Sequence, residues 1–206
     1  FINASITYLS IILIVISIIG VIVTPVLIYL IAPGFVNSEF GQYELSYELL
    51  RITFPYMFFI CLTAVASSIL NSYEKFSIPA LTPVILNISL IISVLFFSPF
   101  FSEPVYALAW GLMIAGILQL LFVTHSLYKL KLYPKFCFNK NHPGIKKIKE
   151  LMLPVIFGSS VTQINLIFDT IIASFLITGS ISWLYMSDRF IAVSYTHLTL
   201  PTKWIV

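Results

Sequence analysis

The sequence predicts an all-α fold, a polytopic transmembrane helix bundle with five complete membrane helices plus the start of a sixth. Three observations predict it. Of 206 residues, 59% are hydrophobic and only 9% are charged, with a mean hydropathy of +1.02, whereas a soluble domain is about a quarter charged. Apolar runs of about 20 residues recur along the chain, each long enough to cross a hydrocarbon core of ~30 Å at ~1.5 Å per residue. The charged residues gather between these runs, and Lys and Arg occur in alternate loops.

The first helix is expected over about residues 7–31, bent at Pro25 and ended by Ala32-Pro33-Gly34. The loop over 35–47 carries Glu39 and Glu44 and neither Lys nor Arg. A second helix follows over about 48–70, with Phe54-Pro55 kinking it near its start, and the loop over 71–77 contains Lys75. Pro79 and Pro83 open the third helix, which reaches about Phe97. A proline is tolerated in a first turn because its missing N–H would have had no partner there. The loop over 98–104 holds Glu103, and a fourth helix spans about 105–128.

The stretch from Lys129 to Lys149 then holds seven of the eleven Lys and Arg residues. Within it, Ile145, Ile148, Leu151 and Met152 recur at helical spacing, with Lys146, Lys147 and Lys149 on the other side. The fifth helix is therefore expected to begin as an amphipathic segment at the membrane surface before it enters. Leu151 to Phe190 reads as an apolar hairpin turning at Gly179. Residues 1–142 form one unit of four helices with the basic loop, and residues 143–192 form a second, the amphipathic start and hairpin. Residues 193–206 contain VSYTHLTLPTK, which has no sustained apolar face and resembles the translation of a sequencing adapter. That tail is expected to be non-native. Because the chain begins at Phe1 and shows no signal-peptide pattern, it reads as an internal piece of a longer protein.

Lys and Arg in short loops mark the cytoplasmic side. The second and fourth loops carry one and seven of them, and the first, third and fifth carry none. Residue 1 is thus expected on the cytoplasmic side and Gly179 outside. Arg51, near an outer helix end, can snorkel or meet Glu48 one turn back.

Several function classes find no support. Two cysteines, Cys61 in an apolar helix and Cys137 in the basic loop, are too few for a disulfide scaffold. His125, His142 and His197 are scattered, and no glycine-rich phosphate loop is present. The basic residues are a topology signal, with contact to anionic lipid headgroups as a second use; nothing points to nucleic acid. No convergent nucleophile, acid–base or metal set at one depth speaks for an enzyme, and no cofactor is implied.

What remains are three ionisable residues at membrane depth: Asp169, Asp188 and Arg189. A charge held in hydrocarbon costs ~2.5–3.5 kcal/mol on insertion scales, so such residues mark a functional site by default. Arg189 offers five fixed donors that match phosphate oxygens two at a time; the alternative is a structural pair with Asp188, Asp169 or a backbone carbonyl. Asp169 lies ten residues before Gly179 and Arg189 ten after it, which places both ~15 Å from the hairpin tip, where they can neutralise each other. Against this, Thr162 and Asn165 share nearly the same helix face as Asp169, and Thr170, Gln163 and Ser159 widen the stripe. A carboxylate with such neutral oxygens suits Na⁺ or H⁺. Ser159, Ser160 and Ser174 are better read as helix–helix contacts.

Short stretches throughout the chain are similar to the MurJ (MviN) family of lipid II flippases, within the multidrug/oligosaccharidyl-lipid/polysaccharide exporter superfamily. They include Ala32-Pro33-Gly34-Phe35, Ile52-Thr53-Phe54-Pro55-Tyr56, Ile69-Leu70-Asn71, Phe76-Ser77-Ile78-Pro79-Ala80 and Leu86-Asn87-Ile88-Ser89. Further on come Ala107-Leu108-Ala109-Trp110, Gly116-Ile117-Leu118-Gln119-Leu120, Ala173-Ser174-Phe175-Leu176, Gly179-Ser180-Ile181-Ser182-Trp183 and Asp188-Arg189. Each is short; their shared order across the chain is specific.

The resemblance implies the third to seventh helices, and the start of the eighth, of a fourteen-helix protein of the bacterial cytoplasmic (inner) membrane. It implies a partner, a lipid-linked peptidoglycan precursor whose pyrophosphate meets arginines in a central cavity. Of these, Arg189, in the family's Asp-Arg motif with Asp188, is the one within this chain. Asp169 resembles a seventh-helix aspartate that ligates sodium in some members, the other ligands lying in later helices. The implied activity is flipping by alternating access, with no bond made or broken. The runners-up are a related exporter of O-antigen-type lipid-linked sugars or of drugs, a membrane enzyme, and a structural membrane subunit without substrate.

Overall fold

The computed structural model describes residues 2–37, 41–132 and 143–198. The described residues form an all-α structure in which five segments are long and apolar enough to cross a membrane: Ser5–Ile31, Gln42–Ser72, Ser77–Phe100, Val105–Lys129 and Glu150–Ser174. A sixth helix follows. The expected bundle of five membrane helices and the beginning of another is what the chain forms. Residues 38–40, 133–142 and 199–206 lie outside the described residues, and so do the side chains of Ile145, Lys146, Ile148 and Lys149. Glu39, Cys137, His142 and most of the basic loop fall in these stretches.

Helix α1 runs Ile2–Ile31 with Pro25 inside it. Proline cannot donate to the carbonyl four residues back, and in lipid an orphaned carbonyl costs several kcal/mol. The preceding residue supplies the missing donor: Thr24, fully buried, gives its hydroxyl to the Val21 carbonyl at 3.0 Å. A 3₁₀ turn over Pro33–Asn37 ends the span. Helix α2, Gln42–Thr53, follows Gly41, and helix α3, Tyr56–Ser72, continues the same membrane span.

The break between α2 and α3 differs from the sequence expectation of a kink near the start of a helix from 48. Twelve residues precede it and 17 follow. The polar run Gln42 to Glu48 hides a helical start, with Glu44 in the first turn, where the helix dipole favours an anion. Pro55 leaves the Arg51 carbonyl without its helical donor, and the chain tightens: Met57 N–H donates to the Phe54 carbonyl and Phe58 N–H to that of Pro55, both at 3.1 Å. Arg51 does not pair with Glu48. Its guanidinium sits over the Tyr47 ring, 5.7 Å from the centroid, while Glu48 accepts from the Tyr106 hydroxyl.

Helix α4, Ser77–Ile92, passes into a π-helical turn over Ser93–Phe97 and a 3₁₀ turn over Ser98–Phe100. Pro79 falls in its first turn as expected, but Pro83 lies inside it. There the device of α1 recurs, with the Thr82 hydroxyl donating to the Pro79 carbonyl at 2.8 Å. Helix α5, Val105–Lys129, packs against α3 and α4 and is the axis of the core. Its buried face is small at one end, with Ala107, Gly111, Ala115 and Gly116, and larger at the other, with Val123 and Leu127. Small residues let membrane helices approach closely. Ser93 donates to the Ala107 carbonyl at 2.5 Å, and buried Gln119 reaches across to the Thr82 carbonyl at 2.8 Å. Ala66, Leu70, Val123 and Leu127 close the other end.

Helix α6 spans Pro143–Ser174 and helix α7 spans Ser180–Leu198. The backbone is helical from Pro143, so the segment expected at the membrane surface joins the span without a break. Helix α7 continues six residues into the tail expected to be foreign; the first proline there, Pro201, lies beyond it. Helix α6 touches the remainder of the fold in a distinctive way. Between 150 and 169 its described side chains are exposed except for half-buried Ser160, whereas Ala173 and Ser174 at its end are buried.

Candidate functional site

The α6–α7 hairpin turns at Gly179, whose φ of +101° is a left-handed value that favours glycine. Around it, Ser180 N–H donates to the Ile177 carbonyl at 3.1 Å and Trp183 N–H to the Gly179 carbonyl at 3.0 Å. These bonds set the register of the two helices. Asp169, Ile172, Ala173 and Leu176 on α6 then face Ser180, Trp183, Leu184 and Ser187 on α7 across a cleft of about 410 Å³. Both sets follow the spacing i, i+3, i+4, i+7 of a single helix face.

This register separates the two charges that the sequence allowed to meet. Asp169 lines the cleft, but Arg189 lies two residues beyond Ser187, about 200° further round α7 at ~3.6 residues per turn. Among the described residues Arg189 forms no ion pair with Asp169 or Asp188. Its Nε and Nη2 both donate to the Tyr185 hydroxyl, at 3.0 and 2.7 Å, and its Cζ lies 5.1 Å from the Tyr185 ring centroid. Asp188 is exposed beside it. The charge is held, therefore, by an aromatic neighbour one turn earlier.

Asp169, Thr162 and Asn165 are all exposed and run along one stripe of α6, the last two extending away from Gly179. Thr170 is half-buried and turns its hydroxyl onto the Leu166 carbonyl at 2.7 Å. Its oxygen keeps acceptor capacity, since a hydroxyl has two lone pairs. Among the described residues Ser159 and Ser160 bridge no helices; each folds onto its own helix, Ser160 to the Ile156 carbonyl at 2.6 Å and Ser159 to that of Val155 at 2.9 Å. A hydroxyl with no neighbouring helix in reach takes the nearest carbonyl on its own.

Ser174 behaves differently. Its hydroxyl donates to the Ile171 carbonyl at 2.7 Å and accepts from the Gly34 N–H at 3.1 Å. The backbones meet so closely that a Cβ on Gly34 would stand 2.0 Å from the Ser174 carbonyl oxygen. Nearby, Gln42 donates to Thr178 at 3.3 Å across a cavity of about 370 Å³ that Leu45, Leu49, Leu176 and Ser182 help to line. The hairpin is thus fastened to α1 and α2 at the Gly179 end. Sequence reasoning placed Ser174 at a helix contact but missed its partner Gly34, and it missed Tyr185. The second had a legible signal, a Tyr and an Arg four residues apart on one helix.

Compared with known proteins, residues 1–196 match the family model described as lipid II flippase MurJ. A probable lipid II flippase MurJ of Vibrio cholerae serotype O1 is 46% identical over 149 residues, covering 72% of this chain and 28% of that protein. One of Buchnera aphidicola subsp. Acyrthosiphon pisum is 42% identical over 191 residues, covering 93% of this chain and 37% of that protein. The lipid II flippase MurJ of Burkholderia cenocepacia is 38% identical over 192 residues, or 91% and 37%. The chain therefore spans well under half the length of these relatives.

Proposed function

The chain belongs to the lipid II flippase MurJ family, and from that premise we propose that it carries part of the path by which a lipid-linked peptidoglycan precursor crosses the bacterial cytoplasmic membrane. The observation that carries the reading is a guanidinium exposed on an apolar hairpin, ten residues from its tip. Arg189 would bind the pyrophosphate of the precursor through paired N–H donors, with Asp188 beside it. Nothing in this step makes or breaks a bond; the protein supplies a polar route and a change of access. The test is replacement of the matching segment of a full-length relative by residues 1–192 of this chain, in cells depleted of their own flippase. Restored growth and lipid II export are expected. A hybrid that inserts normally yet leaves lipid II inside would sink the reading.

The orientation follows from the lysines. With Cys61 and Cys137 replaced by Ser, single cysteines at Ser102 and Ser180 should react with an impermeant thiol reagent in intact cells. Cysteines at Lys75 and Lys131 should react only after permeabilisation. Labelling of Lys131→Cys from outside would invert the topology.

Asp169 is the natural place for a coupling cation. Its carboxylate is a hard oxygen ligand, and Thr162, Asn165 and Thr170 are neutral oxygens within a turn or two of it. The export of an anionic headgroup is favoured by a negative interior, by ~2.3 kcal/mol per charge per 100 mV. The return of an emptied, positively charged cavity is the step that gains from an inward Na⁺ or H⁺. In the full-length protein Asp169→Asn should weaken the ion dependence of flipping and leave lipid binding within about twofold, since the carboxylate lies across α7 from Arg189. Unchanged ion dependence would leave Asp169 a cleft-lining residue without a coupling role.

A further inference from the structure

We propose that Tyr185 is a positioning residue for Arg189, one that fixes which edge of the guanidinium meets the lipid pyrophosphate; this rests on the reading of Arg189 given above. An arginine offers two forks to a phosphate. One is the side edge, made by Nε–H and the nearer hydrogen of Nη2. The other is the end edge, made by Nη1 and Nη2. Both donors of the side edge point at a single acceptor, the Tyr185 hydroxyl, at 3.0 and 2.7 Å. The end edge is left to the ligand.

The contact does more than occupy donors. An exposed arginine normally loses considerable rotamer freedom when it grips a ligand. Here the Tyr185 oxygen receives two bonds, and its ring lies 5.1 Å from the guanidinium carbon, so part of that ordering precedes binding. Pre-ordering of a binding group raises affinity by reducing what must be lost on association. Tyr185 acts through Arg189 and not on the lipid, because its hydroxyl occupies the side edge while the ligand meets the adjacent end edge.

The experiment is a double-mutant cycle in the full-length flippase, with binding of undecaprenyl diphosphate measured in nanodiscs. Tyr185→Phe keeps the ring and removes the acceptor. It should weaken binding about tenfold, the usual scale for loss of a hydrogen bond to a charged group. In an Arg189→Lys background, where no side edge exists, the same change should alter binding less than about twofold. Tyr185→Gln, whose amide oxygen can accept from the same edge, should recover part of the loss. Equal losses in both backgrounds would mean that Tyr185 contacts the lipid or supports the fold, and would overturn the proposal. So would an undiminished Tyr185→Phe beside a crippled Arg189→Ala. Should Arg189→Ala itself bind normally, the phosphate role of Arg189 is what fails.

Discussion

Arg189→Lys in the full-length flippase is expected to lower lipid flipping by about tenfold or more, with insertion and melting unchanged, because lysine keeps the charge but loses the planar fork. Arg189→Ala should be more severe. Stability is not at stake, since Arg189 is exposed and its partner Tyr185 lies on the same helix. Substitutions away from buried features usually change stability by no more than about 0.5 kcal/mol. Flipping assayed in proteoliposomes, alongside a melting curve for each variant, separates the two effects. Full activity with Lys would reduce Arg189 to a point charge, and full activity with Ala would remove it from the substrate path.

The largest structural effect is expected at Gly34. A methyl group there would stand 2.0 Å from the Ser174 carbonyl oxygen and 2.4 Å from its carbon, both backbone atoms that cannot rotate aside. Gly34→Ala must push the clasp apart, weakening the Gly34 N–H bond to the Ser174 hydroxyl and exposing Ala173. Forced overpacking of this kind costs on the order of 1–3 kcal/mol, and Gly34→Val should exceed it. Gly158 provides the control with the opposite sign. Nothing lies within 4 Å of a Cβ built on it, and Gly→Ala inside a helix stabilises by about 0.5–1 kcal/mol. Reversible melting of the two variants should shift in opposite directions; a Gly34→Ala protein that melts like the parent would show the clasp to be slack.

The helices were readable from the sequence because long apolar runs and loop charges are local signals, and the spans ending at Ile31, Phe100 and Lys129 lie within a few residues of the expected places. The start of α2 was not, because Gln42 to Glu48 is polar and its helical period is carried by tyrosines and glutamates. The prolines were legible as bends, but not the means of healing them. Only the structure shows Thr24 and Thr82 each handing a hydroxyl to the carbonyl that the next residue leaves open. At the hairpin the equal spacing of Asp169 and Arg189 from the turn followed from counting residues to Gly179. Their separation depended on helical phase across the turn, which a residue count does not fix. The meeting of Gly34 with Ser174 joins positions 140 residues apart, and neither neighbourhood carries a charge or motif that announces the other.

The clasp at Ser174 is a pivot about which α6 can turn. From the clasp at Ser174 to Glu150 the span covers 25 residues, or ~36 Å of arm at 1.5 Å per residue. Swinging that arm through about 15° would carry the Glu150 end by about 9 Å. Asp169 sits five residues from the pivot and would travel only about 2 Å in the same swing. The gearing is close to five to one. A small displacement of α6 at Asp169 would therefore appear, much enlarged, at its Glu150 end.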